Sequence, residues 1–322
     1  VDRIVWSEEV ADRAAGVLLG QAFGDALGAP YEFGPPLGGD EPVDLVGGGA
    51  FGWAPGEWTD DTQMAVAVLE TAEDAVRDGV RLVDRLDALV GRWATWSRSA
   101  ADVGAQTRRV LDDVLDEPTA AAARAAADAL HERFGRSGGN GSLMRTAPVA
   151  LAHLDDVEAM VEAARAVSAL THHDPEAGDA CVLWCAAVRH AVLTGEADVR
   201  VGLGLLPGKR RAAWAARIAD AEQRGPASFA ANGWVVEAFG AAWSAVVRTP
   251  GHGPGYVRSA LECAVRGGAD ADTVAAIAGA LVGAREGATA VRSALWAPVH
   301  GWPGLTGDDL ARRGAALAAA HV

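Results

Sequence analysis

The stretch "EWTDDTQMAVAVLE", Glu57–Glu70, places Thr59, Asp60, Asp61 and Thr62 side by side ahead of an apolar run with helical spacing. One Thr or Asp is enough to cap a helix, because a single side-chain oxygen satisfies a free backbone N–H of the first turn. A second acid gains only a little from the helix dipole. Four oxygen-bearing side chains in a row exceed what helix initiation needs. The run behind them reads as a buried helix, and the surplus oxygens in front of it point to a ligand.

The same helical period recurs along the chain. It predicts helices over roughly 8–29, 60–78, 82–98, 103–115, 118–133, 155–171, 175–194, 209–224, 230–246, 255–266, 272–286 and 308–320. The run "CVLWCAAVRHAV" follows Pro175, a favoured first-turn residue. No stretch reads as a series of alternating strands. The breaks "FGPPLGGDEPVDLVGGGAFGWAPGEW", "FGRSGGNGS" and "TPGHGPG" are rich in Gly and Pro but too short and too apolar for disordered linkers. The expected fold is all-α, a compact multi-helix bundle forming a single domain over residues 1–322.

Half of the 322 residues are hydrophobic, enough for a substantial core, and 43 acids against 28 bases give a net charge of −15. That balance argues against nonspecific binding to nucleic-acid phosphates. A phosphate-bearing small molecule remains compatible with it, held by backbone N–H groups or bound cations. The N-terminal residues lack the basic, apolar, cleavable pattern of a signal peptide. No apolar run reaches the roughly 20 residues needed to cross a bilayer, so no membrane partner is expected. Three cysteines, Cys181, Cys185 and Cys263, form no disulfide framework and suit a reducing, cytoplasmic setting. Cys181 and Cys185 lie four apart on one helix and read as small core residues.

A second acidic cluster answers the first. In "GADADTVAAIAGALVGA", Asp270, Asp272 and Thr273 precede a helix built from Ala275, Ala276, Gly279 and Gly283. A helix with so little side-chain bulk can approach its neighbours closely, which places it at the centre of the bundle. If the two helix starts meet, Asp60, Asp61, Asp270 and Asp272 crowd four carboxylates together, an arrangement that repels itself unless cations neutralise it. Thr59 and Thr273 add neutral oxygens. An all-oxygen set without His or Cys selects hard ions, Mg²⁺ or Mn²⁺. A pair of them could hold substrate hydroxyls and polarise a water.

Three further segments suit a polar cleft. "GDALGAPYEF" carries Asp25 near a helix end and Glu32 in the loop behind it. In "SGGNGSLMRTAPVAL", Gly138, Gly139 and Gly141 let the backbone pass close to a ligand, and Ser142 could cap the next helix. The spacing does not match a dinucleotide-binding fingerprint, and no strand precedes it. "LTHHDP" offers Thr171, His172, His173 and Asp174, with Asp174 as the cap before Pro175. A His-centred phosphohydrolase site would need distant His and Asp partners, and none has a persuasive context.

Together and in this order, "GDALGAPYEF", "WTDDTQMAVAVLE", "GGNGSLMRTAPVAL", "LTHHDP" and "GADADTVAAIAGALVGA" resemble the ADP-ribosylglycohydrolase family, which includes the bacterial dinitrogenase reductase-activating glycohydrolases. The resemblance extends from about Val10 to Gly287. It implies an all-α fold around a dinuclear metal cleft and hydrolysis of the bond between ADP-ribose and its acceptor. On the matching positions it implies that Thr59, Asp60, Asp61, Asp270, Asp272 and Thr273 bind two divalent cations, Mg²⁺ or Mn²⁺. Glu32 matches a loop glutamate lying over the metals, Asn140, Gly141 and Ser142 the phosphate-proximal loop, and His172 the cleft histidine; Asp25 joins the substrate-binding set. One departure is that the family's second block commonly reads Gly-Gly-Asp-x-Asp-Thr, whereas Ala269 here separates Gly268 from Asp270.

The implied chemistry is departure of the acceptor with oxocarbenium character at the distal ribose, stabilised by nearby carboxylates. Asp61 or Glu32 would orient or deprotonate the attacking water, and Asp272 completes the catalytic set. The implied partners are an ADP-ribosylated protein or small molecule, with ADP-ribose as product. An arginine linkage is the default, serine-linked or O-acetyl-ADP-ribose the alternative substrates, and a non-catalytic ADP-ribose-binding protein the alternative function.

Overall fold

The computed structural model describes residues 4–322. Helix α1 (Glu8–Gly28) begins at Ser7, whose hydroxyl accepts from the Val10 N–H at 3.3 Å. It is followed by α2 (Asp60–Asp78), α3 (Leu86–Ser97), α4 (Ala105–Asp112), α5 (Ala120–Phe134), α6 (Ala147–Leu151), α7 (Val157–Ala169) and α8 (Pro175–Thr194). The second half contains α9 (Gly208–Ala221), α10 (Val235–Arg248), α11 (Gly253–Val265), α12 (Ala271–Ala294) and α13 (Gly307–Ala319). A short antiparallel ribbon, β1 (His300–Gly301) with β2 (Leu305–Thr306), pairs His300 with Thr306 ahead of α13. One continuous hydrophobic cluster, drawn from nearly all the helices, fills the interior.

The seam that organises the molecule lies between α1 and α12. Gly16, Gly20, Gly24 and Gly28 recur every fourth residue of α1, so they share one face. A Cβ on Gly16 would lie 2.2 Å from the Gly283 carbonyl oxygen, one on Gly20 2.3 Å from that of Gly279, and one on Gly24 2.0 Å from that of Ala275. At the end of the series, a Cβ on Gly28 would sit 2.3 Å from Asp272 Cα. The two helices run antiparallel with their backbones in contact. Each glycine costs about 1 kcal/mol in helix propensity relative to alanine, offset by dispersion contacts that only bare backbones can make. This register brings the first turn of α12 to the last turn of α1.

The first turn of α2 is fixed at the same place. Gln21 of α1 donates to the Asp61 carbonyl at 3.4 Å and the Met144 carbonyl at 3.0 Å. From the other side, Trp93 Nε1 donates to the Met64 carbonyl at 3.2 Å, and Trp96 Nε1 to Gln63 Oε1 at 2.7 Å. Trp58, fully buried, donates from Nε1 to the Trp302 carbonyl at 3.1 Å and ties the entry to α2 to the ribbon.

Several expectations change at element ends. The helix expected over 82–98 is a 3₁₀ turn, Leu82–Arg85, leading into α3. The one expected over 230–246 starts at Val235, because Asn232 and Gly233 take part in loop contacts instead. The end expected at 286 corresponds to a break in α12 at Gly287, which has φ 84°. The helix resumes because Asp12 of α1 accepts from the Thr289 N–H at 3.0 Å and hydroxyl at 2.8 Å. Helix α6, the 3₁₀ turn Val199–Leu205 and the ribbon are too short to show a period. Ser142 does not cap the next helix: it lies within the 3₁₀ turn Asn140–Ser142, and Thr146 stands at the start of α6. By length and hydropathy α12 could cross a membrane, against the reading of no such run, but 83% of its apolar window is buried within the protein.

Candidate active site

Two helix N-termini converge where the α1–α12 register places them. Asp60 and Asp61 open α2, Asp272 and Thr273 stand in the first turn of α12, and Asp270 is its N-cap. Thr59, at the N-cap of α2, makes no capping bond with its own side chain. That role falls to Asp25 of α1, whose Oδ1 accepts from the Thr59 N–H at 2.8 Å and whose Oδ2 accepts from the Thr62 N–H at 3.0 Å and hydroxyl at 2.6 Å. Freed from capping, Thr59 donates its hydroxyl to Asp61 Oδ2 at 2.9 Å. The oxygens that looked surplus to helix initiation are indeed not used for it.

A cleft of about 360 Å³ opens over this convergence. Glu32, Asp60, Asn140, Gly141, His172, Asp270 and Thr273 reach its wall, while Asp25, Thr59, Asp61 and Asp272 lie buried beneath. Asp25 does not reach the cleft wall, and its bonds anchor the start of α2. Ser142 is also enclosed, and its hydroxyl accepts from Cys181 Sγ at 3.6 Å, behind the wall. Asn140 faces the cleft but commits its amide: Nδ2 donates to Asp270 Oδ2 at 2.7 Å and to the Asn232 carbonyl at 2.9 Å. Its backbone N–H goes to the Gly233 carbonyl at 3.1 Å. In this turn the N–H groups of Gly141 and Ser142 are the ones a helical start leaves free.

Sequence reading missed Asp102, Gln106, Asn232 and Phe33. Asp102 lines the cleft with Asp60, and its charge adds to the crowding there. Gln106 Nε2 braces the glycine turn by donating to the Ser137 carbonyl at 2.8 Å and the Thr171 carbonyl at 2.9 Å. Asn232 Oδ1 accepts from the Asp270 N–H at 3.0 Å and its Nδ2 donates to the Gly268 carbonyl at 3.0 Å, which fixes the approach to α12. The Phe33 N–H donates to the Ala269 carbonyl at 2.7 Å, and the Ala269 N–H to the Gly34 carbonyl at 2.8 Å, so the Glu32 loop is stitched to the second acidic block. Ala269 holds φ 54° there, a left-handed conformation that a glycine would adopt without strain.

The electrostatics are one-sided. Burial raises the Asp60, Asp61 and Asp272 carboxyls well above the usual range, and neighbouring acids add to it: Asp102 for Asp60, Asp25 for Asp61, and Asp61 for Asp272. Burial, then Asp102 and Asp270, push Glu32 up to about 9. Asp25 is raised to about 6 by burial, moderated by its bonds to Thr62 and Thr59. Among the described residues, none of Asp25, Glu32, Asp60, Asp61, Asp102, Asp270 and Asp272 is ion-paired to Arg, Lys or His. Asp61 Oδ1 and Glu32 Oε2 are buried without any hydrogen-bond partner. Oxygens of Asp25, Asp61 and Asp272 lie within 4.8 Å of one another, as do those of Glu32, Asp270 and Asp272, so Asp272 belongs to both groups. Unpartnered carboxylate oxygens, no cationic side chain and an all-oxygen donor set fit hard divalent ions.

The His-Asp alternative dissolves. His173 Nδ1 faces Asp128 Oδ1 at 3.2 Å on the surface, and Asp174 caps α8 by accepting from the Glu176 N–H at 2.9 Å. Only His172 of that segment reaches the cleft. Cys181 and Cys185 are buried core residues whose thiols burial pushes upward.

The model of the ADP-ribosylglycohydrolase family matches residues 6–321. An ADP-ribosylarginine hydrolase of Pseudomonas putida (strain GB-1) is 31% identical over 292 residues, covering 87% of this chain and 72% of the relative. The ADP-ribosyl-dinitrogen reductase glycohydrolase of Rhodospirillum rubrum is 33% identical over 193 residues, 57% of this chain and 59% of the relative. A solved structure described as an ADP-ribosylglycohydrolase-related protein complex has a TM-score of 0.72 at 27% identity, covering 98% of this chain and 100% of the other.

Proposed function

This chain belongs to the ADP-ribosylglycohydrolase family and is an ADP-ribose-releasing hydrolase, and we propose that its substrate is ADP-ribose joined to a protein arginine through an N-glycosidic bond. The observation that carries the reading is the pair of acidic helix starts sharing Asp272 over buried, unpartnered carboxylate oxygens. The names of the relatives from Pseudomonas putida and Rhodospirillum rubrum support the reaction, and the first supports the arginine linkage.

Thr59, Asp60, Asp61, Asp270, Asp272 and Thr273 would hold two divalent cations, Mg²⁺ or Mn²⁺. When bound, such ions supply the positive charge the cleft lacks, orient ribose hydroxyls and acidify water. The chain's own residues do the rest. Asn140 and Asn232 hold Asp270 in place, and Asp25 holds the first turn of α2. The N–H group of Gly141, on the cleft wall, suits a phosphoryl oxygen. Glu32 is only half-buried, with one oxygen unpartnered and its carboxyl raised first by burial and then by acidic neighbours; with cations offsetting those neighbours it would be ionised, and it is the group best suited to take a proton from water. Asp61, enclosed and bonded to Thr59, serves the cations. The ring of carboxylates stabilises oxocarbenium character at the ribose as the arginine departs.

A cleavage panel of arginine-, serine- and acetyl-linked ADP-ribose, each with and without EDTA, tests this. Free ADP-ribose from the arginine conjugate alone, lost on chelation, is the expected result. Cleavage confined to the serine or acetyl conjugates would reassign the substrate, and binding without release would make the protein a reader of ADP-ribose.

A further inference from the structure

The cleft histidine is wired to a buried cation. Arg145 is fully enclosed, with its guanidinium 4.0 Å from the ring centroid of Trp93. Its Nη2 donates to Thr171 Oγ1 at 2.7 Å and to the Val167 carbonyl at 3.4 Å. Burial pulls its pKa down to about 9, still on the charged side of neutrality. A guanidinium has donors only, so Thr171 Oγ1 accepts in that bond.

Thr171 is itself fully buried, and among the described residues the other hydrogen-bond neighbour of its hydroxyl is His172 Nδ1, at 2.7 Å. A buried O–H left without an acceptor forfeits its hydration and gains nothing in return. The hydroxyl proton therefore goes to Nδ1, which must offer a lone pair. A neutral imidazole with an accepting Nδ1 carries its proton on Nε2. That atom faces the glycine turn: a Cβ on Gly139 would lie 3.1 Å from it, and one on Gly141 3.1 Å from the adjoining Cε1. Burial first, then the charge of Arg145, hold the ring well below its usual pKa, so it stays neutral.

We propose that Arg145 is a positioning residue: through Thr171 it holds His172 as an Nε2–H donor, which receives an acceptor oxygen of ADP-ribose seated against the glycine turn. This rests on the reading of the cleft as the ADP-ribose site. The chain Arg145–Thr171–His172 makes the donor permanent, where an unsupported histidine would divide between tautomers.

The test uses the full chain labelled with ¹⁵N at histidine, read by NMR for the His172 tautomer, alongside calorimetric titration with ADP-ribose. Wild type should show the Nε2–H form. Thr171→Val, close in shape but without the hydroxyl, should mix the tautomers and weaken ADP-ribose binding by roughly 10-fold, the scale of one hydrogen bond. Thr171→Ser should restore both. An Nδ1–H ring or an imidazolium in the wild type at neutral pH would overturn the proposal, as would a Thr171→Val protein with unchanged tautomer or unchanged affinity. A wild type with the Nε2–H form that binds no ADP-ribose would instead overturn the reading of the cleft, and with it the assignment of the acceptor.

Discussion

The α1–α12 seam and the acidic cleft are adjoining regions built on opposite terms. Along the seam, Gly16, Gly20, Gly24, Gly279 and Gly283 give up side chains so that two backbones can touch, and that contact favours the folded state. A few residues further on, the same register crowds Asp61, Asp272 and Asp270 with Glu32 in a buried space without a counter-charge, and every pair there opposes it. The seam provides the rigidity that lets the cleft keep its repulsion. The difference teaches which kind of damage each region suffers: substitution in the seam should cost the fold, and substitution in the cleft should cost the reaction while relieving the fold.

The largest expected effect sharpens the cleft side. Asp272→Asn should lower ADP-ribose release by roughly 10³-fold or more. In EDTA the same variant should melt higher than wild type, by roughly 2–4 °C for each kcal/mol of repulsion removed. Assays of turnover and thermal melts on one preparation check both, and lower stability in EDTA would break the comparison. Next comes the seam. Gly283→Ala sets a Cβ 1.9 Å from the Gly16 carbonyl oxygen and should destabilise by about 3 kcal/mol or more. Denaturant unfolding reads this directly, and a variant as stable as wild type would mean that the helices can part without penalty.

A smaller effect is the slope of stability with pH. Glu32 is raised from 4.5 to about 9, so the folded state binds its proton more tightly than the unfolded chain does. Between those values the unfolded state has released the proton and the folded state retains it, so stability falls as pH rises through that window. Metal-free protein should therefore melt progressively lower from the acid to the alkaline end, and Glu32→Gln should flatten the trend. Smallest is Ala269→Gly, which relieves the left-handed φ of 54° and should stabilise by up to about 1 kcal/mol in equilibrium unfolding.

What could be read from the sequence follows from where the signal is local. The bounds of α2 and α8 were legible because Thr59-Asp60 and Asp174-Pro175 mark their starts within a few residues. The acidic doublets were legible because they overload a helix start. Their meeting depends on Gly28 lying against Asp272, a contact across most of the chain that no local pattern displays. Asp102 escaped notice because a single acid in the loop before α4 looks like any solvated residue until it is seen lining the cleft with Asp60. Asn140 was placed in the cleft by the family resemblance alone, and its use as a brace for Asp270 depends on Asn232, far along the chain. Asp25 illustrates the same limit: its proximity to the helix end was visible, and its capping of a different helix was not.

The most direct measurement is a count of Mn²⁺ ions bound per chain by metal-free protein, taken by equilibrium titration on wild type and Asp272→Asn. Two ions in the wild type, with the pair lost or reduced when the carboxylate common to both groups is removed, is the result expected from the cleft described above. A wild type that binds no Mn²⁺, or an Asp272→Asn protein that binds as many ions as tightly, would contradict it.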